Sequence, residues 1–309
     1  MNEFTGNPVG DFVATIGVFD GVHLGHQALI DATIAEAQRR ATPGRSVRPC
    51  LITFDPHPAA VLAPGRVTSL LTPTPEKLRL VRARGIEDVR VLAFDRQMAA
   101  LEPEDFLSRH VDQAGGLRHL VIGHDFALGR NRVGDEPRLA RIGRERGFGV
   151  TRFPAVRLAG QVLSSTRVRQ ELARGDMAAL TALLGRPYSL EGVVGPGDGR
   201  GRTIGVPTAN VVLPPEKTPP PLGVYAVRAF VAEGGAHPAV MNFGSRPTFG
   251  GGDPVVEVHL LDYSGDLSGR PLRVDLIHWV REERRFPGPE SLVAQIRADM
   301  AAARELLRG

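Results

Sequence analysis

The chain has 309 residues, 42% of them hydrophobic, enough for a large core and for one large or two ordinary domains. Its formal charge of +4 suits anionic ligands, but all the positive charge outside Lys77 and Lys217 is arginine, and no dense basic run with interleaved aromatics speaks for a nucleic-acid groove. The single cysteine, Cys50, excludes an intrachain disulfide, and its place at the head of the apolar run 51–54 predicts a buried strand thiol in a reducing compartment.

The first residues lack a basic segment followed by an apolar one, and no stretch approaches the roughly 20 apolar residues of a membrane span. A cytoplasmic protein with no membrane or nucleic-acid partner is expected; weak self-association is the one protein contact this reading leaves open. From residue 12 to about 153, β-branched runs near 12–19, 50–54, 89–94, 120–123 and 149–153 alternate with amphipathic stretches, the pattern of a parallel α/β sheet. Helices are predicted over 166–174 and 176–184, and then Gly185, Arg186 and Pro187 interrupt the pattern, which puts a domain boundary after residue 186.

Beyond that boundary the texture changes. Glycines crowd residues 195–205, prolines punctuate 214–221, and short β-rich runs follow at 224–231, 239–243, 255–261 and 272–280 with no helices between them. A small antiparallel barrel is expected. Leu292, Ile296, Met300, Ala303 and Leu307 recur at spacings of three and four, so a terminal helix with one apolar face closes the chain.

The first strand leads into Asp20, Gly21, Val22, His23, Leu24, Gly25 and His26 and then a helical segment, which sets this turn at the carboxyl end of a sheet strand, where ligands of open α/β sheets bind. Unpaired N–H groups at a helix N-terminus, glycines that let backbone approach a phosphate, and two histidines three apart make a triphosphate cradle. Either histidine alone would be an ordinary polar residue. Gly17 to His26, taken together, resembles the HxGH nucleotidyltransferase signature as it occurs in bacterial FAD synthetases. That resemblance implies direct in-line adenylyl transfer, with Gly17, Phe19, Asp20, Gly21, His23 and His26 on ATP and the two histidines compensating charge on its α- and β-phosphates. Ser164, Ser165, Thr166 and Arg169 are similar to that family's pyrophosphate-binding segment; alone they would read as a helix cap with solvated arginines. Two further matches, residues 53–58 and 123–129, imply flavin contacts at Phe54, Asp55, His57, Pro58, Asp125 and Phe126, although His124 and Leu128 stand where the family commonly has Glu and Phe.

In the second half, residues 197–210 join a glycine-rich loop to a compact polar turn. Thr208 and Asn210 offer the neutral oxygens that Mg²⁺ accepts beside its waters and substrate phosphates, and no Walker lysine follows. Pro207, Thr208, Ala209 and Asn210 behind Gly201 and Arg202 resemble the riboflavin kinase signature. The resemblance implies an ATP site at Gly199, Gly201, Arg202, Gly205, Pro207, Thr208 and Asn210, and Mg²⁺ on Thr208 and Asn210. It further implies flavin contacts at Asn242, Arg246, Arg281 and Phe286, and Glu257 as the general base for the riboflavin 5'-hydroxyl. Periodicity alone says that Glu257 and His259 share one face of a strand.

The chain is therefore expected to be α/β plus β: a Rossmann-like HxGH nucleotidyltransferase domain over 1–186 and a riboflavin kinase-like antiparallel β-barrel with a terminal helix over 187–309. Its substrates would be riboflavin, FMN and ATP, its products FMN and FAD, and its cofactor Mg²⁺. A different HxGH adenylyltransferase and a flavin- or RNA-binding regulator without turnover are the alternatives; the Thr208, Asn210 and Glu257 constellation argues against both.

Overall fold

The computed structural model describes residues 10–63, 69–113, 116–196, 206–231, 235–244 and 254–308. Contacts divide the chain between Ser165 and Thr166 into two compact units.

The first unit is built on five parallel strands, β1 (Asp11–Ile16), β2 (Val47–Asp55), β3 (Asp88–Ala93), β4 (Leu117–Ile122) and β5 (Gly149–Arg152), in the spatial order β3-β2-β1-β4-β5. Between them run α1 (Leu24–Arg40), α2 (Pro58–Leu62), α3 (Thr74–Arg82), α4 (Arg96–Ala99), α5 (Pro103–Phe106, continued by a π-helical turn Leu107–Val111) and α6 (Glu136–Arg146). A two-strand hairpin, β6 (Arg157–Leu158) and β7 (Gln161–Val162), follows. A parallel sheet is buried on both faces, which is why its strands read as nearly continuous apolar runs. Phe12, Ala14 and Ile16 pack on one face with Cys50, Ile52, Leu120 and Ile122 beneath Leu139 and Ile142 of α6. On the other face Val13, Leu51 and Val121 pack with Ile30 and Ala37 of α1 and Val81 of α3. Cys50 is fully buried as expected, and burial pushes its thiol pKa up, leaving it unreactive.

The strand order reverses between β1 and β4, so the connections that follow them lead to helices on opposite faces, α1 on one and α6 on the other, and leave a crevice outside the carboxyl ends of these strands. One sequence boundary is corrected here. The first strand ends at Ile16, not at Phe19, because Phe19 and Val22 adopt φ of 53° and 41° and cannot continue a sheet.

The second unit opens with α7 (Ser165–Arg174), whose first residue belongs to the first unit, and α8 (Met177–Leu184). Asp176 caps α8, its carboxylate accepting from the Ala179 N–H at 2.9 Å, and Gly185 ends it with φ of 67°. Six strands then close an antiparallel barrel in the order β10-β11-β12-β9-β8-β13: β8 (Tyr188–Gly195), β9 (Ala209–Val212), β10 (Gly223–Val231), β11 (Gly235–Gly244), β12 (Val255–Leu260) and β13 (Pro271–Arg281). A terminal helix, α9 (Pro289–Leu306), follows.

Two expectations change. Residues 207–210 are not wholly a turn: Ala209 and Asn210 lie in β9, paired with β12 and β8, because alternate residues Ala209 and Val211 fill the barrel wall. The apolar stripe of α9 changes at its start and in its middle: Leu292 is exposed, Ile296, Met300 and Leu307 are half-buried and Ala303 is buried, and Asp299 is buried among them, paired with the part-buried Arg281.

Candidate active sites

In the first unit, the chain leaves β1 through a turn with Phe19, Gly21 and Val22 all at positive φ. For a bulky aromatic and a β-branched residue this is strain, held by the contacts around it. Phe19 and Val22 are buried, the Gly21 N–H donates to Thr72 Oγ1 at 2.9 Å, the Thr72 N–H donates to Asp20 Oδ1 at 3.1 Å, and Ser165 Oγ donates to the Asp20 carbonyl at 2.8 Å. The turn is thereby fixed before any ligand arrives.

His23 caps α1, its Nδ1 accepting the His26 N–H at 3.3 Å. An Nδ1 that accepts leaves the proton on Nε2, so the ring keeps a donor on that side. The His23 and His26 rings stack at 3.7 Å between centroids and 15° between planes. Gly25 makes this possible, because a Cβ there would sit 3.1 Å from His23 Nδ1 and Cε1. Burial, and after it the electrostatic cost of charging this ring beside His23 and Lys77, holds the His26 pKa well below its ordinary value. His26 is therefore neutral at neutral pH, and its Nδ1 is buried without a hydrogen-bond partner among the described residues.

These residues form one wall of a cleft of about 680 Å³, within the size range of pockets that take drug-sized ligands. Gly17, Phe19, Asp20, His23, His26, Phe54, His57, Pro58, Asp125, Phe126, Ser164 and Ser165 all line it, so most of the residues assigned from the first-half motifs meet in one place. Its opposite side is apolar, with Phe94 and Phe106 packed around Phe54 at 5.5 and 6.3 Å between ring centroids. His57 caps α2 through the Ala59 N–H at 3.0 Å. The 123–129 segment is clamped by two arginines: Arg152 Nε donates to the His124 carbonyl at 2.7 Å, and Arg132 Nη2, from a residue that itself lines the cleft, donates to the Asp125 carbonyl at 2.6 Å. Gly21 and Asp55 flank the cleft without lining it. Thr166 and Arg169 fall in the second unit, where Arg169 Nη1 donates to Thr218 Oγ1 at 3.1 Å.

Sequence reasoning passed over Thr72 and Lys77. Thr72 holds the turn as described; Lys77, on α3, is buried and donates to Thr53 Oγ1 at 3.1 Å. Burial lowers its pKa to about 8 against the opposing pull of Asp20 and Asp55. The signal available in the sequence was its rarity, one of two lysines in the chain.

In the second unit the barrel interior is filled by Val256, Val258, Leu260, Ala239, Met241 and Phe243, and the polar residues stand on the outer wall. Strand register aligns three of them: Asn210 of β9 pairs with Glu257 of β12, and Glu257 with Asn242 of β11. Directly opposed residues share a face with Cβ atoms about 4.5–5.5 Å apart, so an amide, a carboxylate and a second amide form one half-exposed row. His259 Nδ1 donates to the Pro207 carbonyl at 2.7 Å, which pins the segment carrying Thr208 beside that row. Arg281 does not stand open to a ligand. It grips Asp299 of α9 through Nε at 3.0 Å and Nη2 at 2.7 Å, and its guanidinium carbon lies 5.8 Å from the Phe286 ring centroid. Gly199, Gly201, Arg202, Gly205 and Arg246 lie outside the described residues.

Comparison with known proteins agrees with both halves. Residues 8–167 match the family model for FAD synthetase and residues 184–307 that for riboflavin kinase. The bifunctional riboflavin kinase/FMN adenylyltransferase of Escherichia coli K12 is 40% identical over 293 residues, covering 95% of this chain and 92% of that one. The chain belongs to the bifunctional riboflavin kinase/FMN adenylyltransferase family. The Bacillus subtilis enzyme of that name is 34% identical over 295 residues, covering 94% and 91% of the two chains. A crystal structure from Streptococcus pneumoniae, described as a macrolide-efflux protein, is similar with a TM-score of 0.84 and 28% identity over 98% of this chain and 97% of that one. Among the described residues here, no helix is long and apolar enough to cross a membrane. As a riboflavin kinase and FMN adenylyltransferase, the chain makes FAD from riboflavin in two ATP-dependent steps.

Proposed function

We propose that the adenylyltransferase step is carried by residues 1–186 and the kinase step by 187–309, at two separate ATP sites, in the cytoplasm. The stacked His23 and His26 pair inside the cleft carries this reading. In adenylyl transfer an FMN phosphate oxygen attacks the α-phosphorus of ATP as the bond to pyrophosphate breaks. Negative charge grows on the departing oxygens, and fixed donors that compensate it lower the barrier. His23 and His26 are those donors, with Gly17, Phe19, Asp20 and Gly21 shaping the cradle and Ser164, Ser165, Thr166 and Arg169 receiving pyrophosphate. The apolar side of the cleft, with Phe54, Asp55, His57, Pro58, Asp125 and Phe126, takes the flavin.

In the kinase step Glu257 accepts the proton of the riboflavin 5'-hydroxyl while the hydroxyl oxygen attacks the γ-phosphorus of ATP and the bond from that phosphorus to the departing ADP breaks. The row of Asn210, Glu257 and Asn242 supports this, because it sets a carboxylate beside a neutral oxygen ligand. The donors suit Mg²⁺, a hard cation satisfied by a few oxygens and its own waters. Thr208 and Asn210 would hold it, and it would neutralise the ATP phosphates. Among the described residues no cluster of three His, Cys, Asp or Glu side chains offers an alternative metal site. Asn242 and Phe286 contact the flavin; Arg281, held by Asp299, serves by fixing Phe286. Gly199, Gly201, Arg202, Gly205 and Pro207 surround ATP, and Arg246 the flavin, by resemblance.

Chromatography of products from riboflavin and Mg-ATP tests the assignment. Glu257→Ala is expected to cut FMN formation by about 10²- to 10⁴-fold while conversion of supplied FMN to FAD persists. His26→Ala is expected to do the reverse, raising the adenylyl-transfer barrier by about 2.7–4 kcal/mol. Equal loss of both activities in either variant would contradict separate sites.

A further inference from the structure

Of 38 lysines and arginines two are lysines, and both are buried, Lys77 at 3% exposure and Lys217 at 4%. A chain that otherwise uses arginine throughout keeps a compact ammonium under the cleft, where a planar five-donor guanidinium makes different demands. Lys77 Nζ donates to Thr53 Oγ1 at 3.1 Å, and Thr53 Oγ1 donates in turn to the Val18 carbonyl at 3.1 Å, in the turn that carries the histidines. The charged and titratable groups around it come from four elements: Asp20 after β1, Asp55 at the end of β2, His26 on α1 with His23 stacked on it, and the buried Glu76 on its own helix.

We propose that Lys77 is a positioning residue for adenylyl transfer: from α3 its buried ammonium holds the Thr53 hydroxyl of β2 that bonds the cradle turn, and it sets a positive charge beneath His26, where the triphosphate lies. This rests on the reading of His23 and His26 as the phosphate cradle. Burying an ammonium costs stability, and a chain retains one where its charge serves the site. Two consequences separate this from a packing role. The charge is present below about pH 8, where Lys77 is protonated, and is lost as pH rises through that value. Its loss acts on ATP and not on FMN.

The test is steady-state FAD synthesis from supplied FMN and ATP by the full chain carrying Lys77→Met, from about pH 6 to about pH 10. The expected result at neutral pH is a fall in kcat/KM for ATP of about 10- to 100-fold, the size of effect found when a hydrogen-bond partner behind a metal ligand is lost, with KM for FMN unchanged. The alkaline limb near pH 8 in the parent profile is expected to be absent in the variant. Thr53→Val, which keeps the ammonium and cuts its link to the turn, is expected to lower kcat while the alkaline limb stays, and it serves if Lys77→Met does not fold. Parent kcat/KM together with the parent alkaline limb in Lys77→Met, or full kcat in Thr53→Val, overturns the proposal. His26→Ala in the same assay tells the two failures apart: activity retained there removes the cradle reading itself, whereas activity lost there and kept in the Lys77 and Thr53 variants removes the role of Lys77 alone.

Discussion

The two units build a site by opposite means. In the first, topology makes the hole: connections from the strands on either side of the order reversal lead to opposite faces of the sheet, and loops with buried, strained and hydrogen-bonded residues line what opens. In the second, the described strands close a barrel whose interior is packed, and their register brings Asn210, Glu257 and Asn242 into line on the outside. A site made by a crevice depends on the loops that hold its charges. A site made by register depends on whatever keeps strands and helix in place.

The largest expected effect probes that second dependence. Arg281 and Asp299 are both nearly buried, paired through two N–H groups, and Gln295 Nε2 donates to Asp299 Oδ1 at 2.8 Å. Asp299→Ala leaves a guanidinium without its counter-charge and is expected to cost about 3–5 kcal/mol. Thermal unfolding should show an early transition that removes kinase activity, while adenylylation of supplied FMN survives below the second transition. Simultaneous loss of both would mean that the units do not melt separately.

A smaller effect is expected in the first unit. A Cβ at Gly143 on α6 would sit 2.4 Å from the Phe148 carbonyl oxygen, a backbone atom that cannot swing aside. Gly143→Ala should therefore cost about 1–3 kcal/mol in urea unfolding and lower FAD formation before FMN formation as denaturant rises. The smallest concerns acid. Hydrogen bonds from Arg39 first, and Arg40 after it, lower the Glu36 pKa from 4.5 to about 2. The stability this contributes is present above pH 4.5 and is lost as pH falls toward 2. Glu36→Gln should flatten that part of the melting-temperature profile, by at most about 1 kcal/mol given the exposure of Arg39.

The parallel sheet was legible because burial on both faces writes each strand as an apolar run, as in β4, where Leu120, Val121 and Ile122 are consecutive and all buried. The histidine turn was legible for a different reason, since its chemistry is local and its residues are contiguous. Strands β8 and β9 were not. Gly195 opens the glycine-crowded stretch and Ala209 and Asn210 follow a proline, so they read as loop and turn, and only the pairing of Gly195 with Asn210 and of Asn210 with Glu257 makes them extended. Lys77 escaped because its partner Thr53 is 24 residues away and nothing on α3 announces that a charged side chain turns inward. Asp299 escaped likewise: an acidic residue reads as the wet side of a helix until Arg281 is known to face it.

The burial of both lysines has a practical side. Each unit holds one, Lys77 in the first and Lys217 in the second, and neither ε-amino group is accessible while its unit is folded. Acylating reagents that seek primary amines thus find these two positions only when a unit opens, and the extent of modification at each residue becomes a clock for the unfolding of its own half of the chain.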